Sequence, residues 1–183
     1  MIDIREKSVV LVGLMGAGKT SVGRKLAEKL DMAFVDADEE IVKAAACSID
    51  NIFELYGEKA FRDVEEKVIS RLLEEGPQVM ATGGGAFMNP KTRALIAAAS
   101  VSVWLRAELD VLVRRTRRRG GRPLLKNKDP RAALKKLIDE RYPVYAKADI
   151  IVDSKDDGAD VMARFIADAL DGWGEGAAKE ARR

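Results

Sequence analysis

Short apolar stretches recur along the chain, and each is followed by a turn and then by a segment of helical periodicity. The first covers residues 8–12, is rich in valine, and ends at Gly13. Four later stretches have the same character: 33–35, 79–82, 100–105 and 150–152. Continuous apolar runs of this length are typical of strands that are buried on both faces. The pattern therefore predicts an α/β fold, a three-layer sandwich in which helices cover both faces of a five-stranded parallel sheet.

The segments between the strands have apolar residues at helical spacing, most clearly in 19–30. Helices are predicted at 19–30, 39–45, 49–75, from Pro90 onward, and at 109–117, 130–145 and 159–170. Gly57 is expected to break the long third segment, and Pro143 to kink or end its own helix. Because no interdomain linker interrupts the pattern, we expect one domain, 1–171, followed by a flexible tail, 172–183.

Composition narrows the possible chemistry. The 183 residues include no histidine and a single cysteine, Cys47. Without histidine there is no Ser-His-Asp triad, no imidazole base and no histidine-ligated metal site, and one cysteine cannot form an internal disulfide. The remaining candidates for catalysis are carboxylates, lysine, arginine, backbone amides and a hard metal ion.

Charge and hydropathy argue against two classes of partner. The 32 Lys and Arg residues nearly balance the 30 Asp and Glu residues, which leaves a net charge of +2 and no global attraction to nucleic acid or to an anionic membrane. No apolar run approaches the ~20 residues that a membrane span needs. The charged residues 1–7 lack the apolar core of a signal peptide, so a cytoplasmic location is expected.

A phosphate-binding motif follows the first predicted strand. Residues 13–20 read Gly-Leu-Met-Gly-Ala-Gly-Lys-Thr, which matches G-x-x-x-x-G-K-[ST] at the required place between a strand and a helix. The amides of such a loop bind phosphate oxygens, its lysine bridges the β- and γ-phosphates, and its threonine binds Mg²⁺. The alternative is a glycine-rich turn with an incidental lysine. The predicted ATP contacts of this region are Gly13, Gly16, Ala17, Gly18, Lys19, Thr20 and Ser21.

Two carboxylates, Asp36 and Asp38, follow the second predicted strand. Ligands of open α/β sheets bind at the carboxyl ends of the strands, the edge that the phosphate loop shares. One carboxylate could therefore meet the shell of Mg²⁺ and the other an acceptor hydroxyl. In the alternative interpretation the pair is solvated, and Asp38 caps a helix that begins at Glu39.

A basic segment lies between Arg114 and Arg131, with nine basic residues and one acid. It is either a nucleic-acid-binding patch or a lid that closes on the phosphates of ATP. Because no aromatic residues are interleaved for base stacking, we favour a mobile lid at about 114–130. Arg122, which follows two glycines, would then bring its charge to the developing phosphoryl charge.

Three further features carry less information by themselves. Gly83, Gly84 and Gly85 follow the third predicted strand and would leave amides open to a ligand, but a plain flexible turn would look the same. Arg62 and Arg141 lie in helical patterns, where each could simply pair with a neighbouring acid.

In chain order, these motifs resemble the shikimate kinase family of small P-loop kinases. Beyond the phosphate loop, the resemblance includes Phe-Val-Asp-Ala-Asp at 34–38, Phe-Arg-Asp-Val-Glu at 61–65, Thr-Gly-Gly-Gly at 82–85, Arg-Pro-Leu-Leu at 122–125 and Arg-Tyr-Pro-Val-Tyr at 141–145. It covers about residues 8–167 and implies the sheet order 2-3-1-4-5. It also implies ATP- and Mg²⁺-dependent phosphorylation of the 3-hydroxyl of shikimate to shikimate 3-phosphate, a step of chorismate and aromatic amino acid biosynthesis.

The resemblance implies roles for the matching acceptor-site residues. Asp38 binds the ring hydroxyls of shikimate and orients or deprotonates the hydroxyl that is phosphorylated. Arg62 and Arg141 bind the substrate carboxylate, a task suited to the rigid guanidinium fork. The amides of 83–85 complete that pocket.

It also implies roles on the nucleotide side. Lys19 and Thr20 hold the phosphates and the metal, and Asp36 contacts Mg²⁺ through water. Arg122 is the lid arginine on the transferring phosphate, and Arg115 packs on adenine. Catalysis would then rest on the acceptor-site aspartate together with the phosphate-loop lysine and the lid arginine.

One departure and three alternatives accompany the resemblance. Asp156 and Asp157 stand where some family members carry a basic residue near the adenine. A gluconate kinase would also suit two arginines, but the D-x-D and F-R-x-x-E pair favours shikimate. A regulatory nucleotide-binding module should have lost a reactive residue, and a nucleic-acid-binding protein would rest on the basic segment alone. We expect a monomer that binds ATP and shikimate, with no nucleic-acid or membrane partner.

Overall fold

The structure is a computed structural model that describes residues 6–119, 129–174 and 180–181. Its strands are β1 Ser8–Val12, β2 Ala33–Asp36, β3 Gln78–Ala81, β4 Ser100–Arg106, β5 Ile150–Asp153 and β6 Glu180–Ala181. Its helices are α1 Lys19–Leu30, α2 Ala37–Ala45, α3 Ile49–Glu74, α4 Pro90–Ala99, α5 Leu109–Arg119, α6 Pro130–Tyr145 and α7 Ala159–Gly174, with a short 3₁₀ turn at Ala86–Met88. The predicted alternation of strands and helices is confirmed, with shifts at several boundaries.

All six strands form one parallel sheet in the order β2-β3-β1-β4-β5-β6. β1 lies inside the sheet, where Val10 pairs with Met80 of β3 on one side and with Ser102 of β4 on the other. The five strands that the apolar pattern predicts therefore have the expected order, 2-3-1-4-5.

Both faces of β1 are covered, and this agrees with its unbroken apolar sequence. Every residue of Ser8–Val12 is buried. Among the covering helices, α1 packs against α7, and α4 packs against β4 and α3. Within the described ranges, no helix is long and apolar enough to cross a membrane.

Two parts of the predicted tail, 172–183, lie in regular secondary structure, and its other residues are outside the described ranges. Helix α7 continues to Gly174, and β6 adds a further parallel strand beside β5. The edge of a sheet presents unpaired amides and carbonyls, so even a short segment gains hydrogen bonds by pairing there. The domain limits 1–171 and the monomeric state stay predictions.

The start of α2 corrects one interpretation of the acidic pair. The helix begins at Ala37, and its N-cap is Asp36, whose side chain accepts a hydrogen bond from the Asp38 amide at 3.0 Å. The alternative in which Asp38 caps a helix beginning at Glu39 is therefore wrong. Because its neighbour caps the helix, the Asp38 carboxylate belongs to the first turn and not to the cap.

The predicted lid is described only at its two ends. Helix α5 covers its beginning as far as Arg119, and Asp129 is the N-cap of α6 at the other end. Residues 120–128, and with them Arg122, lie outside the described residues.

Gly57 interrupts α3, as the sequence predicts. Its φ of 81° and ψ of 173° are non-helical, and this region of backbone conformation is accessible almost only to glycine. The break separates the first part of the helix from the part that carries Arg62. Pro143, in contrast, does not end its helix, because α6 continues to Tyr145.

We expect Gly57→Ala to lower the free energy of unfolding by about 1–3 kcal/mol, because a Cβ makes this backbone conformation costly. No described atom lies within 4 Å of the added Cβ, so backbone strain and not a clash is the cause. Gly158→Ala is the matched control, since its Cβ also meets nothing within 4 Å and its φ lies outside the left-handed range. For that control we expect a change within about 0.5 kcal/mol. Urea denaturation measures both, and equal losses would contradict the prediction.

Candidate functional site

The phosphate loop forms where the motif predicts it, between β1 and α1. Gly18 is the N-cap of α1, and Lys19 is the first helical residue. Lys19 Nζ donates hydrogen bonds to the carbonyls of Gly13 at 2.8 Å and Leu14 at 3.0 Å. These bonds hold the ammonium group over the loop, where the helix N-terminus also favours an anion.

Thr20 and Asp36 come together at the ends of neighbouring elements. Thr20 Oγ1 donates a hydrogen bond to Asp36 Oδ2 at 2.9 Å. Hydroxyl and carboxylate oxygens suit Mg²⁺, which kinases bind through one or two protein oxygens together with substrate phosphates and water. In the part of the chain that the structure describes, no group of three or more acidic or sulfur side chains could hold a metal ion by itself. The pair therefore fits an ion whose other ligands come from a nucleotide and from water.

A cavity of about 260 Å³ opens beside the phosphate loop. Four of the predicted nucleotide contacts line it: Gly16, Gly18, Ser21 and Arg115. Its remaining walls come from α1, α7 and the loop before α7, through Val22, Ser154, Asp157, Ala159 and Met162. We call this space the nucleotide cavity, because the phosphate-binding amides lie at its edge.

Arg115 connects the wall of the nucleotide cavity to the phosphate loop. Its Nη1 donates to the Ser154 hydroxyl at 2.9 Å and to the Gly16 and Ala17 carbonyls at 3.3 and 3.4 Å. Ser154 Oγ in turn donates to the Ala17 carbonyl at 2.9 Å. These contacts fix the guanidinium group at the cavity edge.

The two acids that depart from the family pattern have different surroundings. Asp156 forms an ion pair with Arg114 and lies 4.0 Å from Arg115 Nε. Its charge is therefore compensated by α5. Asp157, by contrast, lines the nucleotide cavity.

A second cavity, of about 370 Å³, contains the predicted acceptor-site residues Arg62, Gly85 and Arg141. The two arginines come from α3 and α6, and yet they line one space. The other lining residues are ones for which the sequence predicted no role: Glu58, Met88, Asn89 and Glu140. Two guanidinium groups in one cavity suit a carboxylate ligand. We call this space the acceptor cavity.

The glycine triplet passes close to both arginines. A Cβ on Gly85 would lie 2.6 Å from Arg62 Cζ, so a larger residue here would displace the guanidinium group. Arg141 Nη1 donates a hydrogen bond to the Gly84 carbonyl at 2.9 Å. Gly85 is the one member of the triplet that lines the acceptor cavity, and the contacts of Gly84 and Gly85 with the two arginines distinguish the triplet from a plain flexible turn.

Asp38 and Glu65 converge on the first glycine of the triplet. A Cβ on Gly83 would lie 2.8 Å from Asp38 Oδ1 and 3.2 Å from Glu65 Oε1. Glu65 Oε2 accepts a hydrogen bond from Arg62 Nη1 at 2.6 Å, whereas its buried Oε1 has no hydrogen-bond partner among the described residues. The two carboxylates therefore meet at Gly83, and neither of them lines the acceptor cavity. Glu65 is connected to that cavity through Arg62.

Burial raises the pKa of Glu65 above the ordinary value of a glutamate. The Arg62 guanidinium opposes this change, and the negative charge of Asp38 adds to it. The net direction is upward because the side chain of Glu65 is only 2% exposed, so its charged form is poorly solvated.

Besides those lining residues of the acceptor cavity, three residues that hold other parts of the site in place were given no role by the sequence: Glu65, Tyr145 and Ser154. For Glu65 a signal existed, because it lies three residues after Arg62 and this spacing places two side chains on one face of a helix. The other two had no local signal. Tyr145 donates to the carbonyl of Gly84, which is 61 positions away in the chain, and Ser154 donates to that of Ala17, which is 137 positions away.

The family model for shikimate kinase matches residues 15–170. The chain belongs to the shikimate kinase family. It is 53% identical over 164 residues to the shikimate kinase of Mesorhizobium japonicum, an alignment that covers 90% of this chain and 81% of that relative. It is 55% identical over 150 residues to the shikimate kinase of Bradyrhizobium diazoefficiens, with 82% and 72% covered.

A solved structure of the family has the same fold. The shikimate kinase from Acinetobacter baumannii, in complex with shikimate, aligns with a TM-score of 0.87 at 35% identity and covers 91% of this chain and 94% of that one. The resemblance that the motifs predict is thereby confirmed. Family membership favours the kinase over the regulatory module and the nucleic-acid-binding protein.

The raised pKa of Glu65 predicts a pH-dependent difference in stability between the unaltered protein and Glu65→Gln. A carboxyl whose pKa is higher in the folded state than in the unfolded state stabilises the fold while it is protonated. That contribution is lost as the pH rises above the ordinary glutamate pKa and through the raised value. The free energy of unfolding of the unaltered protein should therefore fall, relative to that of Glu65→Gln, as the pH rises from 4 to 8.

Urea denaturation across this pH range measures the difference. Its slope with pH is the readout, because the replacement of a carboxyl by an amide also changes the Arg62 contact itself. Glu58→Gln is the control, since Glu58 pairs with the same arginine at 3.4 Å but its side chain is 70% exposed. A pH-independent difference for Glu65→Gln would contradict the prediction.

Proposed function

We propose that the chain transfers the γ-phosphoryl group of ATP to the 3-hydroxyl of shikimate, giving shikimate 3-phosphate and ADP. Membership of the shikimate kinase family implies this activity and its place in aromatic amino acid biosynthesis. One observation of the structure carries the assignment of the sites. Arg141, one of the two arginines of the acceptor cavity, contacts Gly84, and Gly84 in turn approaches the phosphate loop at Gly13 and Met15. Because the phosphate loop also borders the nucleotide cavity, a carboxylate-bearing acceptor and a nucleotide can meet at one sheet edge.

The acceptor binds through its carboxylate to Arg62 and Arg141. Guanidinium groups form paired, charge-assisted hydrogen bonds with carboxylates, and two of them fix the orientation of the ring. Glu65 positions one of the two, because its carboxylate holds Arg62 Nη1. The close approach of Gly85 keeps the same guanidinium against the cavity wall.

Asp38 orients the hydroxyl that is phosphorylated and accepts its proton. Its Oδ1 approaches Gly83, which follows β3 by two residues and precedes the cavity-lining Gly85 by two. Phosphoryl transfer proceeds through a loose transition state, in which the nucleophile needs orientation first and loses its proton late. A carboxylate serves this purpose in a chain that has no histidine.

The phosphate loop and its neighbours hold the nucleotide. Lys19 places its charge on the β- and γ-phosphates, and the loop amides bind their oxygens. Thr20 and Asp36 would hold Mg²⁺, the latter through water; when bound, Mg²⁺ supplies positive charge to the phosphate oxygens. Arg115 packs on the base, and Arg122 contributes its charge from the lid segment.

A coupled assay of ADP release tests the function and the role of Asp38. The unaltered protein should release ADP in a shikimate-dependent manner, and shikimate should be a better acceptor than gluconate. Asp38→Asn should lower kcat by about 10²- to 10⁴-fold, because the amide cannot accept the proton. ATP binding, measured by calorimetry, should persist.

Asp63→Asn is the matched control, because Asp63 is an exposed carboxylate close to the acceptor-site arginine of α3. It should keep the unaltered rate. Strong ATP binding without any response to shikimate would refute the proposed function, whereas full activity of Asp38→Asn would refute only the role of that residue.

The pair Thr20–Asp36 predicts a specific change in Mg²⁺ dependence. Asp36→Asn keeps a good N-cap for α2 but removes the negative charge near the metal. We expect the Mg²⁺ concentration for half-maximal activity to rise by about 10- to 100-fold, the usual effect of losing an outer-shell carboxylate. Titration of activity with Mg²⁺ at saturating ATP and shikimate measures it, with Asp63→Asn again as control; an unchanged half-saturation point would remove Asp36 from the metal site.

A further inference from the structure

Helix α6 donates two hydrogen bonds to one carbonyl of the glycine triplet. Arg141 Nη1 reaches the Gly84 carbonyl at 2.9 Å, and Tyr145 Oη donates to the same oxygen. The two donors lie four residues apart, so they project from the same face of the helix. A carbonyl oxygen has two lone pairs, and both are used here.

Tyr145 is fully buried, although it carries a hydroxyl group. A buried hydroxyl without a hydrogen bond is costly, so its partner is a determined feature of the fold. The ring is packed against Phe87, Trp104 and Tyr142, with centroid distances of 6.5, 5.9 and 6.2 Å. Because the ring cannot rotate away, the hydroxyl fixes the position of the oxygen that it contacts.

Gly84 lies between an acceptor-site arginine and the phosphate loop. A Cβ on this residue would lie 3.4 Å from Arg141 Nη1, 3.5 Å from the Gly13 carbonyl and 3.7 Å from the Met15 amide. The peptide that Tyr145 holds therefore contacts an acceptor-site arginine on one side and the phosphate loop on the other. If Gly84 were displaced, the Arg141 guanidinium group would lose the hydrogen bond that holds it at the acceptor cavity.

We propose that Tyr145 is a positioning residue for the acceptor site: by donating to the Gly84 carbonyl, it holds that peptide and, through it, the Arg141 guanidinium in the geometry that binds the acceptor carboxylate. Tyr145 is absent from the lining of the acceptor cavity, so it acts through these two residues and not by touching the acceptor. The inference rests on the proposed function of the acceptor cavity.

Tyr142, one turn earlier, provides a matched comparison. It belongs to the same aromatic cluster and contacts Trp104 with a centroid distance of 4.9 Å. Its hydroxyl donates to the Ala107 carbonyl, away from the glycine triplet, and burial raises its pKa to about 12. Tyr142→Phe removes a partly buried hydroxyl that also donates to a backbone carbonyl, and this hydroxyl does not contact Gly84.

The test compares Tyr145→Phe with Tyr142→Phe. For Tyr145→Phe we expect the dissociation constant and the KM for shikimate to rise by about three- to tenfold, the effect of one lost hydrogen bond. The KM for ATP and kcat should change little, because the acceptor carboxylate is remote from the transferred group and its binding is uniform between ground and transition state. Tyr142→Phe should leave the shikimate constants unchanged.

A merely structural role gives a different pattern. If Tyr145 only stabilises the fold, Tyr145→Phe lowers the melting temperature and the active fraction, so that kcat falls while the KM for shikimate stays the same. That pattern, or an equal rise in the shikimate KM for both variants, would overturn the inference. Absence of shikimate binding by the unaltered protein would instead refute the proposed function.

A double-mutant cycle tests whether the residue acts through Arg141. In the background of Arg141→Lys, which loses the fork geometry, Tyr145→Phe should have little further effect on the shikimate dissociation constant. Full additivity of the two changes would show that Tyr145 acts by another route and would overturn the inference.

A spectroscopic readout applies even where Tyr145→Phe does not fold. The chain has three tyrosines, so Tyr56→Phe combined with Tyr142→Phe leaves Tyr145 alone. After incorporation of 3-fluorotyrosine, its single ¹⁹F resonance should shift when shikimate is added. The bound carboxylate changes the environment of Arg141, and Arg141 shares the Gly84 carbonyl with the Tyr145 hydroxyl. An unchanged resonance at saturating shikimate would contradict the inference.

Discussion

The parallel pairing of β1 with β3 and β4 is the constraint on which the rest of the site depends. In this register Leu11 lies opposite Ala81 and Val103, so the three strands end at the same edge. Thr82 continues the alignment beyond the sheet: its amide and its hydroxyl both donate to the Leu11 carbonyl, at 3.2 and 2.8 Å. The glycine triplet follows Thr82 directly, and the phosphate loop begins two residues after Leu11, so this contact holds the starts of the two loops together. A slip of one residue in β3 would turn its side chains to the opposite faces and separate the two loops.

Charge compensation is the second requirement, because the edge concentrates ionised groups in a partly buried space. Glu65 is almost fully buried, and its charged form is tolerable only because Arg62 donates to it. On the nucleotide side, Asp156 is paired with Arg114, and Arg115 is held by carbonyls and a hydroxyl. The guanidinium groups are thus held in place before any ligand arrives, which reduces the ordering that binding requires.

The sequence predicted most accurately those features that depend on neighbouring residues alone, such as the phosphate loop and the break in α3. The strand order was predicted from the family resemblance. The phosphate loop was predicted from the spacing of its glycines and lysine between a strand and a helix. Gly57 was identified as a break because glycine alone adopts its conformation easily. The start of α2 was placed two residues too late, because both Asp36 and Asp38 are good N-caps and the sequence does not state which one accepts the amide. β6 was missed because two residues are too few for a periodic signal.

The sequence by itself determined the fold class, the phosphate loop and, apart from Glu65, the charged residues proposed for the site, since apolar period and motif spacing are properties of neighbouring residues. Only the tertiary structure decided which of them meet. Arg62 and Arg141 line one cavity although they lie on different helices. Glu65 shares the neighbourhood of Gly83 with Asp38, and Tyr145 holds the carbonyl of Gly84 from 61 residues away. Contacts of this kind arise from helix packing and sheet register, which depend on the whole chain and leave no trace in the spacing of neighbouring residues.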